Sequence, residues 1–472
     1  MRASTWILVA AALLALVAVI WFGNTLIAPP QPLIVSAGFL HERITPNADG
    51  SDDITEYRYT LSENARVSIT FTRDDGRQFA FRQDELRARG DYSRLFSGVV
   101  DGYQEPEETT GGEVIRRLMP NGNYTWEIRA TATEGTATDS RSGTFIIDEA
   151  DIALPDLAIF SVSPAVFTPN QDGIDDRTQI NLELTKDAVL SVYLLAQDGA
   201  QLFLAPRAEE TREGVAGRYT YDYDGGVDVG NDPPPDGTYT LVAAAQDAVG
   251  QRIERRSTLT IQDGGKPLAE IRSQAVGADV VFTVIPYDAA YATGLTLDGE
   301  PITQPAGDPQ LFARGDITMP IGDVLVFMLT IENYSNVPIR THGAAPGTVY
   351  EQTQRAASLG DYDQSGAWRV GIDCDTAVSD YPWRWAVGDE SVLEAVYDPA
   401  TDNTYYYLPA GARAVVWGGI RMTELVASRN PQNCWAGLIH EDVAVSIRNS
   451  RVGARSIELV DPTAALYSET GE

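Results

Sequence analysis

One pattern occurs twice in this chain, and the distance between its copies sets the size of the folding unit. Ile44-Thr45-Pro46-Asn47-Ala48-Asp49-Gly50-Ser51-Asp52-Asp53 returns as Phe167-Thr168-Pro169-Asn170-Gln171-Asp172-Gly173-Ile174-Asp175-Asp176, both reading T-P-N-x-D-G-x-D-D. The copies lie 123 positions apart, and the strand-like runs behind them, Leu61 to Ile69 and Leu184 to Val192, keep the same offset. Self-similarity of this length marks a duplicated domain. A second matched element, Pro120-Asn121-Gly122-Asn123-Tyr124 against Pro235-Asp236-Gly237-Thr238-Tyr239, has an offset of 115, so the first unit carries eight additional residues. The acidic loop 104–112 is the expected place for them, because surface loops absorb length at little entropic cost.

Inside each unit the apolar residues alternate. Glu56 to Leu61, Ala65 to Phe71 and Tyr124 to Ala130 in the first, and Gln179 to Leu184, Ala188 to Leu195 and Tyr239 to Ala245 in the second, are period-two runs separated by Gly, Asp and Asn. This predicts antiparallel sandwiches over 34–150 and 151–264. The alternation continues past Gly264-Gly265-Lys266-Pro267 in Asp279 to Ile285, Asp323 to Ile331, Ala412 to Gly418 and Asp442 to Ile447. Residues 265–472 are therefore expected to form a third β-rich sandwich region, with a possible small module at 265–315. At 472 residues the length agrees with about three domains of ~150 residues. The fold class expected is all-β: an N-terminal transmembrane helix, tandem immunoglobulin-like β-sandwiches and a C-terminal β-rich sandwich.

The second unit resembles a known family. Its T-P-N-Q-D-G-I-D-D, the turn Tyr221-Asp222-Tyr223-Asp224-Gly225-Gly226, the Pro235-Asp236-Gly237-Thr238-Tyr239-Thr240 element and Gln246-Asp247-Ala248-Val249-Gly250 are similar to the immunoglobulin-like domain of the flagellar hook-capping protein. They are similar also to related T-P-N-x-D-G modules of bacterial secreted proteins. The first unit is a looser match that lacks the D-G-G turn. The resemblance implies spacer, sorting or assembly roles, and nothing catalytic. In the third region, Leu329 to Thr341 with Tyr407-Leu408-Pro409-Ala410-Gly411 faintly resembles the Ig-like intracellular proteinase-inhibitor-type domain.

The N-terminus predicts a membrane anchor. From Trp6 to Ala28 no residue is charged, and Arg2 precedes the run. About 22 residues at ~1.5 Å each reach roughly 33 Å, enough for a ~30 Å hydrocarbon core. Residues 5–28 are read as an uncleaved single-pass signal-anchor, with a cleaved signal peptide as the competing reading. The basic residue on the N-terminal side places everything after it outside the cytoplasm, followed by the stiff Pro29-Pro30-Gln31-Pro32 spacer. The formal charge of -32, from 67 acidic and 35 basic residues, excludes non-specific binding to nucleic acid.

The repeat motif itself suits two roles. Asn47, Asp49 and Asp53, and in the second copy Asn170, Asp172 and Asp176, direct hard oxygen ligands from a tight loop, as a Ca²⁺ site requires. The same residues suit an Asx-Gly turn leading into a strand, and neither copy has the bidentate Glu of an EF-hand loop. Asp361-Tyr362-Asp363-Gln364-Ser365-Gly366 opens like a calcium loop, but its twelfth position is Ile372. Cys374 and Cys434 are a possible disulfide of a translocated domain. Five of the eight tryptophans fall between Trp368 and Trp435, and Trp383, Trp385, Tyr405 and Tyr407 suit a stacking surface for sugars or a protein partner as well as core filling. The histidines are three, His41, His342 and His440, with no G-x-S-x-G and no H-E-x-x-H; a metal-dependent hydrolase would need His342 and His440 to converge. The function expected is non-enzymatic: a cell-surface protein presenting a distal β-rich domain to an envelope protein or polysaccharide. A carbohydrate-binding receptor or a proteinase-inhibitor-like module in the third region is the alternative.

Overall fold

A computed structural model describes residues 3–27, 31–105, 108–205, 214–273, 279–292, 299–306, 315–399, 401–446 and 449–461. The N-terminal segment is a single α-helix, Ala3–Ile27. Its side chains are described for 9–21, so the outer parts of the 5–28 anchor and the Pro29-Pro30 spacer lie outside the described residues. Among the described residues no helix is long and apolar enough to cross a membrane. Among the described residues after the helix, the regular structure is β apart from two short 3-10 turns, Ala356–Leu359 and Ala427–Arg429.

The duplication read from the sequence is a duplication of topology. In the first unit Ile34–Phe39, Thr55–Leu61 and Gly90–Phe96 form a three-stranded sheet. It faces a five-stranded one ordered Arg43–Ile44, Thr138–Ile147, Gly122–Ala132, Ala65–Arg73, Gln78–Arg87. The second unit repeats this with Leu157–Ser163, Thr178–Leu184 and Gly217–Tyr223 against Val166–Phe167, Arg252–Ile261, Gly237–Gln246, Val189–Leu195 and Gln201–Phe203. In both, the two-residue strand that opens the repeat motif runs parallel to the last long strand, Ile44 beside Ile147 and Phe167 beside Ile261. The period-two pattern does what it predicts: along Thr55–Leu61 the residues alternate between buried and less buried, turning Tyr57, Tyr59 and Leu61 inward. Phe71, Phe96 and Phe145 pack with them, Phe71 stacked on Phe96 at 4.9 Å.

The eight-residue offset is a net one: the first unit has 25 residues between Gly90–Phe96 and Gly122–Ala132 where the second has 13 between Gly217–Tyr223 and Gly237–Gln246, and the second has four more earlier. The longer segment contains the expected loop, of which 106 and 107 lie outside the described residues. The loop joins Val99–Asp101 to Glu113–Leu118, and this hairpin leaves its own unit to extend the sheet of the next: Glu113–Leu118 pairs with Arg252–Ile261, Val114 opposite Ile253. Val114 is part of the second unit's core. Val99 and Leu118 close over Val249, in the turn of the Q-D-A-V-G element. Gln251, fully buried, seals the joint: its Nε2 donates to the Asp151 and Ala153 carbonyls at 3.1 and 2.8 Å, and its Oε1 accepts from the Leu118 N–H at 3.3 Å. Main-chain pairing between units leaves the linker little freedom to bend.

The described strands of the third region form two facing sheets around one main core, with two smaller apolar clusters beside it. Of the expected small module at 265–315, residues 274–278, 293–298 and 307–314 lie outside the described residues, and its described strands join the sheet of the larger domain. Ala269–Arg272 and Val280–Ile285 both pair with Val324–Asn333, which continues to Arg413–Arg421 and Val349–Glu351. They need that long strand because neither has a partner of its own. The facing sheet runs Ile317–Pro320, Val452–Val460, Gln432–His440, Trp368–Cys374, Ile339–Thr341, Asn403–Leu408, Glu394–Asp398. Cys374 and Cys434 stand opposite each other on adjacent strands and are disulfide-bonded.

Candidate functional site: the junction of the second and third domains

The two copies of the motif make the same turn. In the first, Asp53 gathers backbone donors: its Oδ1 accepts from the N–H of Asn47 at 3.0 Å and Ala48 at 2.7 Å, its Oδ2 from Gly50 at 2.8 Å. Asn47 Oδ1 accepts from Asp49 N–H, and Asp49 Oδ1 from Ser51 N–H. In the second, Asp176 takes Asn170, Asp172 and Gly173 N–H, Asn170 takes Asp172, and Asp172 takes Ile174. The carboxylates proposed as calcium ligands thus cap backbone N–H groups that would otherwise be orphaned in a tight loop. Among the described residues no group of three or more His, Cys, Asp or Glu side chains is placed to hold a metal ion.

Their surroundings differ. Asn47, Asp49 and Asp53 lie at or near the surface, whereas Asn170 and Asp172 are buried, because the second loop is inserted into the third domain. Asp172 Oδ2 accepts from the Tyr407 hydroxyl at 2.9 Å, and the Gln171 carbonyl accepts from His440 Nε2 at 2.7 Å. The His440 ring stacks on Trp368 at 4.3 Å. Gly173, at φ +84°, lies so close to Ser365 that a side chain there would overlap the Ser365 carbonyl. The matching Gly50, at φ +87°, has nothing within 4 Å of that position.

The calcium-like loop 361–366 forms the other wall, and arginines hold it in place of a cation. The wholly buried Arg369 donates from Nε to the His342 carbonyl at 2.6 Å and from its Nη atoms to the Asp361 and Tyr362 carbonyls. Arg384 bridges Asp363 and Glu441, at 3.1 and 2.8 Å. Arg340 donates to the Ser365 carbonyl and Gln364, with the Tyr405 ring 5.3 Å away. None of the three arginines stood out in the sequence; the available signal was an acidic loop followed by Arg369 inside an apolar strand.

Burial sets the protonation of this joint. It pushes His440 down to about 4, so the imidazole is neutral at pH 7. It raises Asp172, and burial followed by the charge of Asp172 pushes Asp176 up to about 6, against the pull of its N–H donors. His342 is lowered by burial and by Arg369.

The aromatic surface read from the sequence divides in two. Trp383 and Trp385 are 2% and 0% exposed and fill the core of the third domain. Trp385 packs edge-on against Phe327 and Tyr350, at 4.6 and 4.9 Å, and its Nε1 donates to the Thr348 carbonyl. They are not binding residues: at i and i+2 on one strand they share its inner face, while Arg384 between them turns outward. Tyr407 belongs to the domain joint, and Tyr405 lies beneath Arg340. Tyr406, which alternates to the other side, is 40% exposed. Beside the docked loop opens a cleft of about 500 Å³, lined by Gly173, Arg340, His342, Gln364, Tyr405 and Tyr406 among others. His342 faces Asp361 at 3.8 Å, and His440 is committed to Gln171.

No family model and no curated protein matches this chain. Among solved structures it is similar to a tetra-tandem repeat in the extending region of a large adhesion protein, at 14% identity over 87% of this chain and 72% of that one, TM-score 0.16. It is similar to a structure described as giving insight into host cell surface retention of a 1.5-MDa bacterial ice-binding adhesin, at 9% over 91% and 98%, TM-score 0.17. A third is the Bacteroides ovatus mixed-linkage glucan utilization locus SGBP-B in complex with a mixed-linkage heptasaccharide, at 10% over 89% and 66%, TM-score 0.15. Scores of this size carry no residue correspondence.

Proposed function

We propose that the chain is a membrane-anchored cell-surface interaction protein: two immunoglobulin-like sandwiches of the hook-capping type form a stiff arm that holds the third, β-rich domain toward a partner in the cell envelope. The observation that carries this reading is the pair of domain joints. One unit lends strands to the next, and the next inserts a buried loop into the third domain, so successive domains are fixed by main-chain pairing and buried polar bonds rather than by flexible linkers. The anchor in this reading rests on the sequence alone, on the uncharged apolar run from Trp6 to Ala28, whose length at ~1.5 Å per residue matches a ~30 Å hydrocarbon core. The disulfide supports an oxidising, extracytoplasmic setting for the third domain.

Fractionation with protease shaving tests it. The protein should sediment with membranes, resist carbonate extraction, and lose the domains after the helix when protease is added to spheroplasts. Recovery in the soluble cytoplasmic fraction, or protection from external protease, would contradict the reading.

A further inference from the structure

The outer sheet of the third domain is interrupted. Ile339–Thr341 pairs with Asn403–Leu408 only from Leu408 to Tyr406, and meets Trp368–Cys374 only at Thr341 beside Trp368. Beyond Thr341 that short strand turns away, while its neighbour runs on through Tyr405 to Asn403 paired on one side alone, with Glu394–Asp398. The space where a strand would continue is the cleft of about 500 Å³ beside the docked loop. A second cleft of about 630 Å³ adjoins it, reaching past Gly388, Asp389, Glu390 and Ser391. The two share Thr341, His342 and Tyr406. They form one trough crossing the exposed Tyr406 ring, and each part has the size of a ligand site.

The lining combines an aromatic ring with hydrogen-bonding groups. An exposed aromatic face stands at the middle, and around it are hydrogen-bonding side chains: Gln364, Asn403 and Thr404, which both donate and accept, at one end, and at the other the Ser391 hydroxyl with the accepting carboxylates of Asp389 and Glu390. The Tyr406 ring offers a flat apolar surface to the C–H face of a pyranose, and the polar groups offer partners to its hydroxyls. The charge argues against a polyanion. Arg340 already donates to Ser365 and Gln364, Asp389 and Glu390 add negative charge, and the chain as a whole carries -32. We propose that this trough binds a neutral polysaccharide strand, with Tyr406 as its stacking platform. This deepens the reading of the third domain as the presented module and rests on it.

Native affinity electrophoresis of the purified full-length protein in a neutral detergent tests the proposal, in gels containing barley β-glucan, dextran, galactomannan or alginate. Retardation is expected in at least one of the three neutral glycans and not in alginate alone. Tyr406→Ala should weaken it about tenfold, Tyr406→Phe should keep it because stacking needs the ring and not the hydroxyl, and Tyr334→Ala, an exposed tyrosine outside the trough, should leave it unchanged. No retardation in any neutral glycan, retardation in alginate only, or equal retardation of the parent and Tyr406→Ala would overturn it. Binding of extended peptides from a casein digest in place of any neutral glycan would also overturn it, and would point to strand addition at Asn403–Tyr405. Because the gels use purified protein, their outcome is independent of protease shaving, and failure of glycan binding is distinguishable from failure of surface display.

Discussion

The two copies of the motif allow a paired test of the domain joint, by placing a methyl at Gly50 and at Gly173. Both glycines sit in the left-handed region, at φ +87° and +84°, so alanine costs about 1–2 kcal/mol at either position, partly offset by ~0.4–1 kcal/mol from the stiffer unfolded chain. At Gly50 the cost ends there, since the new atom has open space. At Gly173 the methyl overlaps the Ser365 carbonyl, so the loop must back out of the third domain. Doing so breaks the Tyr407–Asp172 and His440–Gln171 bonds. The first, made to a carboxylate, is worth ~1.5–3 kcal/mol and the second ~0.5–1.5 kcal/mol, giving Gly173→Ala an additional loss of about 2–4.5 kcal/mol. Urea unfolding followed by tryptophan fluorescence reads the third domain, which holds five of the eight tryptophans. Gly173→Ala should lower the midpoint of that transition and expose the 169–173 loop to limited proteolysis, while Gly50→Ala leaves both unchanged. Equal effects of the two substitutions on the third domain would refute the docking.

Other consequences follow from the same contacts. Replacing Cys374 and Cys434 by serine opens a 60-residue loop, and urea unfolding should show the third domain destabilised by about 4 kcal/mol. His440, lowered from 6.5 to about 4, contributes stability that is present above pH 6.5 and lost as pH falls toward 4; Asp176, raised from 3.8 to about 6, contributes stability that is present below 3.8 and lost as pH rises through 6. The two oppose each other in the parent, so His440→Asn should convert a flat unfolding profile between pH 4 and 6.5 into one that gains stability on acidification. Excess Ca²⁺ or a chelator should leave the melting temperature unchanged in calorimetry, because Asp53 and Asp176 are already engaged by backbone N–H groups.

The repeat was legible because duplication preserves the local signals that build a sandwich: period-two runs, a turn at fixed distance and the P-[ND]-G-x-Y element. The equivalence of the two topologies follows from them. The fate of the second motif was not legible, since Asp49 and Asp172 are chemically alike in the sequence. What separates them is Tyr407, 235 residues further along, which no local pattern reports. The same limit applies to the tryptophans. Spacing at i and i+2 says that Trp383 and Trp385 share a face, while the identity of that face depends on Phe327 and Tyr350 across the sandwich. The loop 104–112 sits inside a longer added segment, and the role of that segment as a strand pair for the neighbouring domain depends on the open edge of Arg252–Ile261, an edge visible only once that sheet is assembled.

The central claim, that consecutive domains are held as one stiff body, is tested most directly by a distance distribution across both joints. Spin labels at Leu86→Cys in the first domain and Val378→Cys in the third, both on exposed side chains, can be measured by pulsed dipolar spectroscopy with the native disulfide left oxidised. A single narrow distance that broadens in Gly173→Ala is the expected result; a broad or multimodal distribution in the parent protein would contradict the account.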